Sequence, residues 1–166
     1  MSKITFRYLY PSEAEAMLHQ LFAILQTNMS RIAPTGCSYE ENREMWLSYL
    51  MPALQDVQRK ILLMYAGEKL AGYFQYRIDG DTLQVEEVEI RPEFQRTMVF
   101  YRCCQFLLLQ IPNSVQYISS YVRKENHNSI SIHKAIGMMP VGENKSGTSW
   151  YYRGERAKAA ARFLRK

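Results

Sequence analysis

The chain has 166 residues, of which 47% are hydrophobic and 22% charged, the balance of one folded domain rather than of a disordered or collagen-like chain. No apolar run reaches the roughly 18–20 residues that a membrane-spanning helix needs. The net charge of +5 is matched by the surplus at the C-terminus, where Arg153, Arg156, Lys158, Arg162, Arg165 and Lys166 face one anion, Glu155, so the basic residues are not spread over a folded face as in a nucleic-acid reader.

In chain order, Ile4–Tyr10 alternates β-branched and aromatic residues and predicts a first strand. Ser12 and Glu15 form a capping-box pattern, and Met17, Leu18, Leu21, Ile24 and Leu25 follow at helical spacing. A loop at Pro34-Thr35-Gly36 separates this helix from a second one. That helix has Ser38 as N-cap, Glu41 at N3, and a stripe of Met45, Trp46, Tyr49 and Leu50 interrupted at Pro52. Lys60–Ala66, Leu70–Ile78 and Thr82–Arg91 predict three strands in a meander, turning at Gly67-Glu68-Lys69 and Asp79-Gly80-Asp81. Pro92 stops the third.

Gln95–Ile111 contains no Gly or Pro and sets Phe100, Cys104, Leu107, Leu108 and Ile111 on one helical face. Val115–Arg123 predicts a strand. Asn126–Ile136 predicts a helix stopped at Gly137. Short strands follow at Val141–Gly142 and Thr148–Arg153. The order is βααβββαβαββ. A strand–helix–strand crossover between parallel strands, in an otherwise antiparallel set, predicts an α/β (α+β) fold: a mixed, mostly antiparallel sheet with helices on both faces. Residues 1–153 form the expected domain and 154–166 a basic helical tail.

The start, Met1-Ser2-Lys3-Ile4-Thr5, lacks the apolar segment of a signal peptide. Cys37, Cys103 and Cys104 have neither a disulfide framework nor zinc spacing. The expectation is a cytoplasmic protein with buried free thiols and no metal.

Two stretches resemble the GNAT superfamily of acyl-CoA-dependent N-acetyltransferases, and the element order matches that family over residues 3–153. The first stretch is Val88-Glu89-Ile90-Arg91-Pro92-Glu93-Phe94-Gln95. It is similar to the approach to the family's pyrophosphate loop, Gln/Arg-x-x-Gly-x-Gly/Ala at the start of a helix. The continuation, Arg96-Thr97-Met98-Val99-Phe100-Tyr101, puts Met98 and Phe100 where the two glycines stand. The second stretch, Asn126-His127-Asn128-Ser129-Ile130-Ser131-Ile132-His133 through Gly137, keeps the spacing of the family's Asn-x-x-Ala-x-x-Phe-Tyr helix. His133 stands at the family's tyrosine.

The resemblance implies acetyl-CoA as cosubstrate and a small-molecule or peptide amine as acceptor. Nucleic acid and membrane are not expected partners, and a homodimer is left open. Backbone groups at Val88 and Ile90 would polarise the thioester. Gln95, Arg96, Thr97, Met98, Val99, Phe100 and Tyr101 would hold the pyrophosphate at a helix N-terminus, with Asn126 and Ser129 as further cosubstrate contacts. His133 would protonate the leaving thiolate. Alternation places Glu87 and Glu89 on one strand face, opposite Val88 and Ile90, where either carboxylate would take the amine's proton. Tyr73, Tyr76, Tyr121, Trp150, Tyr151 and Tyr152 would pack in the sheet or line an acceptor cleft. The glycine-free loop motivates a rival reading, a GNAT-like binding or regulatory module without catalysis.

Overall fold

The computed structural model describes residues 3–164, so the tail's Arg165 and Lys166 lie outside the described residues. The elements keep the expected order, with a helix formed by the tail: β1 (Ile4–Tyr8), α1 (Ala14–Ile32), α2 (Tyr39–Ala53), β2 (Arg59–Ala66), β3 (Lys69–Asp79), β4 (Thr82–Ile90), α3 (Val99–Gln110), β5 (Tyr117–Arg123), α4 (His127–Ala135), β6 (Met139–Glu143), β7 (Ser149–Glu155) and α5 (Arg156–Phe163). The strands pair in the order β1-β2-β3-β4-β5-β7-β6. One pair is parallel, β4–β5, in register from Thr82↔Tyr117 to Val85↔Ser120. Antiparallel ladders join β1–β2, β5–β7 and β6–β7. This is the mixed, mostly antiparallel α/β arrangement that the periodicities predict. The chain gathers into two compact units, one of residues 1–75 and 87–100 and one of 76–86 and 101–166.

In the first unit, α1 and α2 close over β2 and β3. Leu18, Leu21, Phe22 and Ile24 of α1 are buried with Trp46 and Leu50 of α2, Ile61 and Leu63 of β2, and Leu70 and Tyr73 of β3. Ser38 and Glu41 form the predicted capping box reciprocally, Ser38 Oγ accepting from Glu41 N and Glu41 Oε2 from Ser38 N. The earlier box does not form. A 3-10 turn at Pro11–Glu13 takes up Ser12 and makes Glu13 the N-cap of α1, its carboxylate accepting from Arg7 Nη1 at 2.7 Å. The α2 stripe is narrower than predicted: Trp46 and Leu50 are buried, whereas Met45 and Tyr49 are exposed, because buried Asn42 takes the turn before Trp46. Pro52 sits in the last turn of α2 without ending it. Cys37 is exposed rather than buried.

Glycine is required at position 72. A Cβ there would overlap the Glu89 carbonyl oxygen and lie 2.9 Å from Ile90 Cα. β3 and the end of β4 therefore approach more closely than side-chained strands allow.

In the second unit, α4 covers β5 and β7. Val122, Met138 and Tyr152 are buried together, with Ile118, Ile130, Ile136 and Trp150 packed on them. On α3, Cys103, Leu107 and Leu108 are buried, as is Ile111 just past its end, while the predicted Cys104 is only partly so. The tail helix α5 buries Ala159 and Phe163, and the Phe163 ring lies 5.4 Å from that of Tyr101. Arg156 begins α5 and reaches back to the end of α3. Its guanidinium donates to Leu108 O at 3.0 Å and Pro112 O at 2.8 Å, with longer bonds to Ile111 O and Val115 O. Leu108 O is among the carbonyls that a helix C-terminus leaves without internal donors, whereas Pro112 O also accepts from Val115 N at 3.1 Å.

Candidate active site

In the first unit, the end of β4 carries the two predicted carboxylates on one face, both turned towards the helical side. Glu87 is anchored at both oxygens: Trp46 Nε1 donates to Oε1 at 3.1 Å and the Tyr73 hydroxyl to Oε2 at 2.8 Å. Glu89 is held at one oxygen, where Asn28 Nδ2 donates to Oε2 at 2.7 Å. Burial pushes the Glu89 carboxyl up to about 8; the Asn28 bond opposes that shift and the Glu87 charge adds to it. The Tyr73 phenol, fully buried, is held well above its ordinary value by desolvation and by the charges of Glu87 and Glu89.

Asn28 is the residue that sequence reasoning missed. It lies seven residues after Leu21 and four after Ile24, on the apolar stripe of α1. A polar amide inside that stripe was the available signal. It ties the region together: Nδ2 also donates to Ile90 O at 3.0 Å, and Oδ1 accepts from Gln95 Nε2 at 3.2 Å. Gln95 Nε2 reaches Ile90 O as well, at 2.9 Å. Val88 and Ile90 are half-buried.

The predicted helix start at Gln95 is four residues early. Pro92–Phe94 forms a 3-10 turn, Gln95 is extended, and α3 begins at Val99. The reason is backbone conformation: Arg96 takes the left-handed region, φ 61, which residues with a Cβ enter at a cost. Thr97 Oγ1 donates to Phe94 O at 2.6 Å and accepts weakly from Val99 N, at 3.4 Å. Among the described residues the N–H groups of Arg96, Thr97 and Met98 have no protein acceptor. Met98 is 42% exposed, Val99 is buried and Phe100 half-buried. Such amides ahead of a helix, with a cationic side chain among them, fit an anionic pyrophosphate. The bulk at position 98 lies in solvent, so a glycine is not what keeps these amides open.

In the second unit, Asn126 caps α4, its Oδ1 accepting from Ser129 N at 3.0 Å. One turn on, His133 Nδ1 lies 2.7 Å from Ser129 O. A carbonyl oxygen only accepts, so Nδ1 carries the hydrogen and Nε2 of the neutral ring is an acceptor. Burial lowers the His133 pKa, against the raising effect of the Ser129 bond. The ring packs against buried Tyr152, centroids 5.2 Å apart. Tyr101 of α3 stacks on Phe163 and so faces α5. Tyr73 and Tyr76 are buried, while Tyr121 is exposed and pairs with Tyr151 at 4.8 Å. Among the described residues, no group of His, Cys, Asp and Glu is arranged to hold a metal ion, and no helix is long and apolar enough to cross a membrane.

No protein-family profile matches the chain, and no curated protein does. Solved structures do. An acetyltransferase from Thermus thermophilus superposes with a TM-score of 0.74 at 16% identity, over 93% of this chain and 99% of that one. The nucleotide-linked sugar GNAT FdhC gives 0.68 at 11% identity, over 99% and 96%. The chain has the GNAT fold. Spermidine N-acetyltransferase from Vibrio cholerae, solved with CoA and spermine, shares this fold at a TM-score of 0.61 and 16% identity, over 94% and 97% of the two chains. The GNAT fold thus extends over nearly the whole chain, β1 and α5 included.

Proposed function

We propose that this protein is an acyl-CoA-dependent N-acetyltransferase. It moves an acetyl group from acetyl-CoA to a primary amine, which attacks the thioester carbonyl directly. The observation that carries this reading is the turn before α3, where three backbone amides without protein acceptors precede a helix on a GNAT fold. Acetyl-CoA supplies an activated acyl group and a stable thiol leaving group.

The chain's own residues do the rest. The amides of Arg96, Thr97 and Met98 and the start of α3 at Val99, Phe100 and Tyr101 hold the pyrophosphate, and the Arg96 guanidinium adds a charged donor. Asn28 and Gln95 fix the Ile90 carbonyl, which sets the orientation of the β4 backbone at Val88–Ile90 towards the thioester. Glu89, with one oxygen uncommitted, accepts the proton that the attacking ammonium must lose. His133 donates to the departing thiolate only as an imidazolium, because its neutral N–H is committed to Ser129 O. Asn126 and Ser129 shape the helix that carries it. Part of the acceleration comes from holding two substrates in one orientation. A small aliphatic amine is the acceptor class we favour, since the V. cholerae neighbour was solved with spermine and a carboxylate is the natural partner of an ammonium.

The rival reading, a non-catalytic module, required Met98 or Phe100 to plug the loop; the exposure of Met98 argues against half of that requirement. Isothermal titration with acetyl-CoA, with CoA alongside, tests the proposal. Saturable one-site binding, weakened in Arg96→Ala, is the expected result. A folded sample that gives no heat and no competition by CoA turns the assignment to the binding module.

A further inference from the structure

Two carboxylates on one face of β4 are treated very differently by their surroundings. Glu87 receives a hydrogen bond at each oxygen, from an indole on α2 and a phenol on β3. Both donors stabilise the ionised form. Glu89 receives one bond, from an amide on α1, and its other oxygen has no protein donor among the described residues. The groups around Glu89 that carry or gain charge are Glu87 on its own strand and the Tyr73 phenol on β3. Asn28 of α1, Trp46 of α2 and Gln95 of the following turn are neutral. Arg91, the nearest cation in sequence, donates its Nε to Leu70 O at 2.8 Å.

We propose that Glu87 is a positioning residue: burial favours a proton on Glu89, and the anchored negative charge of Glu87, two residues away on the same strand face, adds to that preference, so that Glu87 and not Glu89 is the anion of the pair. That proton sits on the oxygen of Glu89 that Asn28 leaves uncommitted. Two neighbouring carboxylates out of water do not both ionise readily, and the better-solvated one keeps the charge. Here the solvation is supplied by Trp46 and Tyr73, which makes those two side chains the reason that Glu87, and not Glu89, is the anion. The raised titration of Glu89 agrees with this arrangement. The inference rests on the proposed acetyltransfer only for the use of the proton: when Glu89 ionises, it becomes a carboxylate basic enough to take one proton from an aliphatic ammonium, and Glu87 stays unchanged.

The test needs no acceptor substrate. The full chain is labelled with carboxyl-13C glutamate and its carboxyl resonances are followed by NMR from pH 4 to pH 10, with Glu89→Gln identifying the Glu89 signal. Glu89 in the wild type is expected to titrate far above an ordinary glutamate. In Glu87→Gln, which keeps the shape and one acceptor oxygen for Trp46 Nε1, places its amide N–H against the Tyr73 oxygen and removes the charge, the Glu89 proton dissociation constant should rise about tenfold. The double change Trp46→Phe with Tyr73→Phe leaves both carboxylates but strips the donors from Glu87, and should bring the two titrations together. This second variant decides the matter if Glu87→Gln fails to fold. An unchanged Glu89 midpoint in either folded variant, or an ordinary Glu89 midpoint in the wild type, overturns the inference. Those results leave the acetyl-CoA titration untouched, and a failed acetyl-CoA titration leaves these resonances untouched, so the two failures are separable.

Discussion

Glu89 is a carboxyl that the folded chain prefers to keep neutral, and this has a thermodynamic signature. Its ordinary value is 4.5 and its folded value about 8. Between those limits the folded state holds a proton that the unfolded state has released, so stability falls as pH rises. The contribution is fully present below about pH 4.5 and gone once pH passes about 8. Glu89→Gln cannot ionise and still accepts from Asn28. Its melting temperature should therefore match the wild type near pH 4.5 and exceed it increasingly up to pH 8, where the gain in stability is on the order of a few kcal/mol. Calorimetry across that range checks it; parallel curves would mean that Glu89 is not buried as described. Alternation alone put Glu87 and Glu89 on a common face. What alternation does not contain is their inequality, because the donors that create it, Trp46, Tyr73 and Asn28, come from elements far away in sequence. The same limit applies to His133. Its place on α4 was legible from spacing, whereas its tautomer depends on a carbonyl one turn back.

At the scale of elements, most of the order was written in periodicity. Strands β2, β3 and β4 begin and end within a residue or so of their predicted limits, because each hairpin turn is marked by Gly67 or Gly80 in a left-handed conformation. The misplaced start of α3 has the opposite cause. Its turn uses Arg96 in that conformation, and no arginine announces a positive φ. The first capping box fails because the 3-10 turn Pro11–Glu13 shifts the start of α1, leaving Ser12 inside that turn and Glu13 at the N-cap. The β3–β4 approach gives a sharp prediction at this scale. Gly72→Ala would place a methyl group on the Glu89 carbonyl, backbone that has no free room to move because Asn28 and Gln95 hold the next carbonyl, that of Ile90. A loss of about 2–3 kcal/mol is expected, read as a shift in the denaturation midpoint with an unchanged slope. A neutral Gly72→Ala would show that the strands are free to separate there.

Over the whole chain, charge is divided between the two units more unevenly than the tail alone suggested. The second unit holds twelve Lys and Arg against six Asp and Glu, and the first holds nine against ten. A surplus of that sign draws in polyanions from a distance. The tail is also structural. A chain ended at Glu155 lacks the Arg156 bonds and the buried Ala159 and Phe163, and should lose about 4 kcal/mol or more, lowering its melting temperature by roughly 10 °C. An unchanged melting temperature would make α5 dispensable. Arg156 also gives the second unit an order of assembly during translation. The chain emerges from its N-terminus, so α3 is complete while Arg156 is still unmade, and the carbonyl of Leu108 must be served by water until it arrives. The helix that seals the end of α3 is thus made after it, and a nascent chain stalled before Arg156 would carry a second unit with that helix end still open.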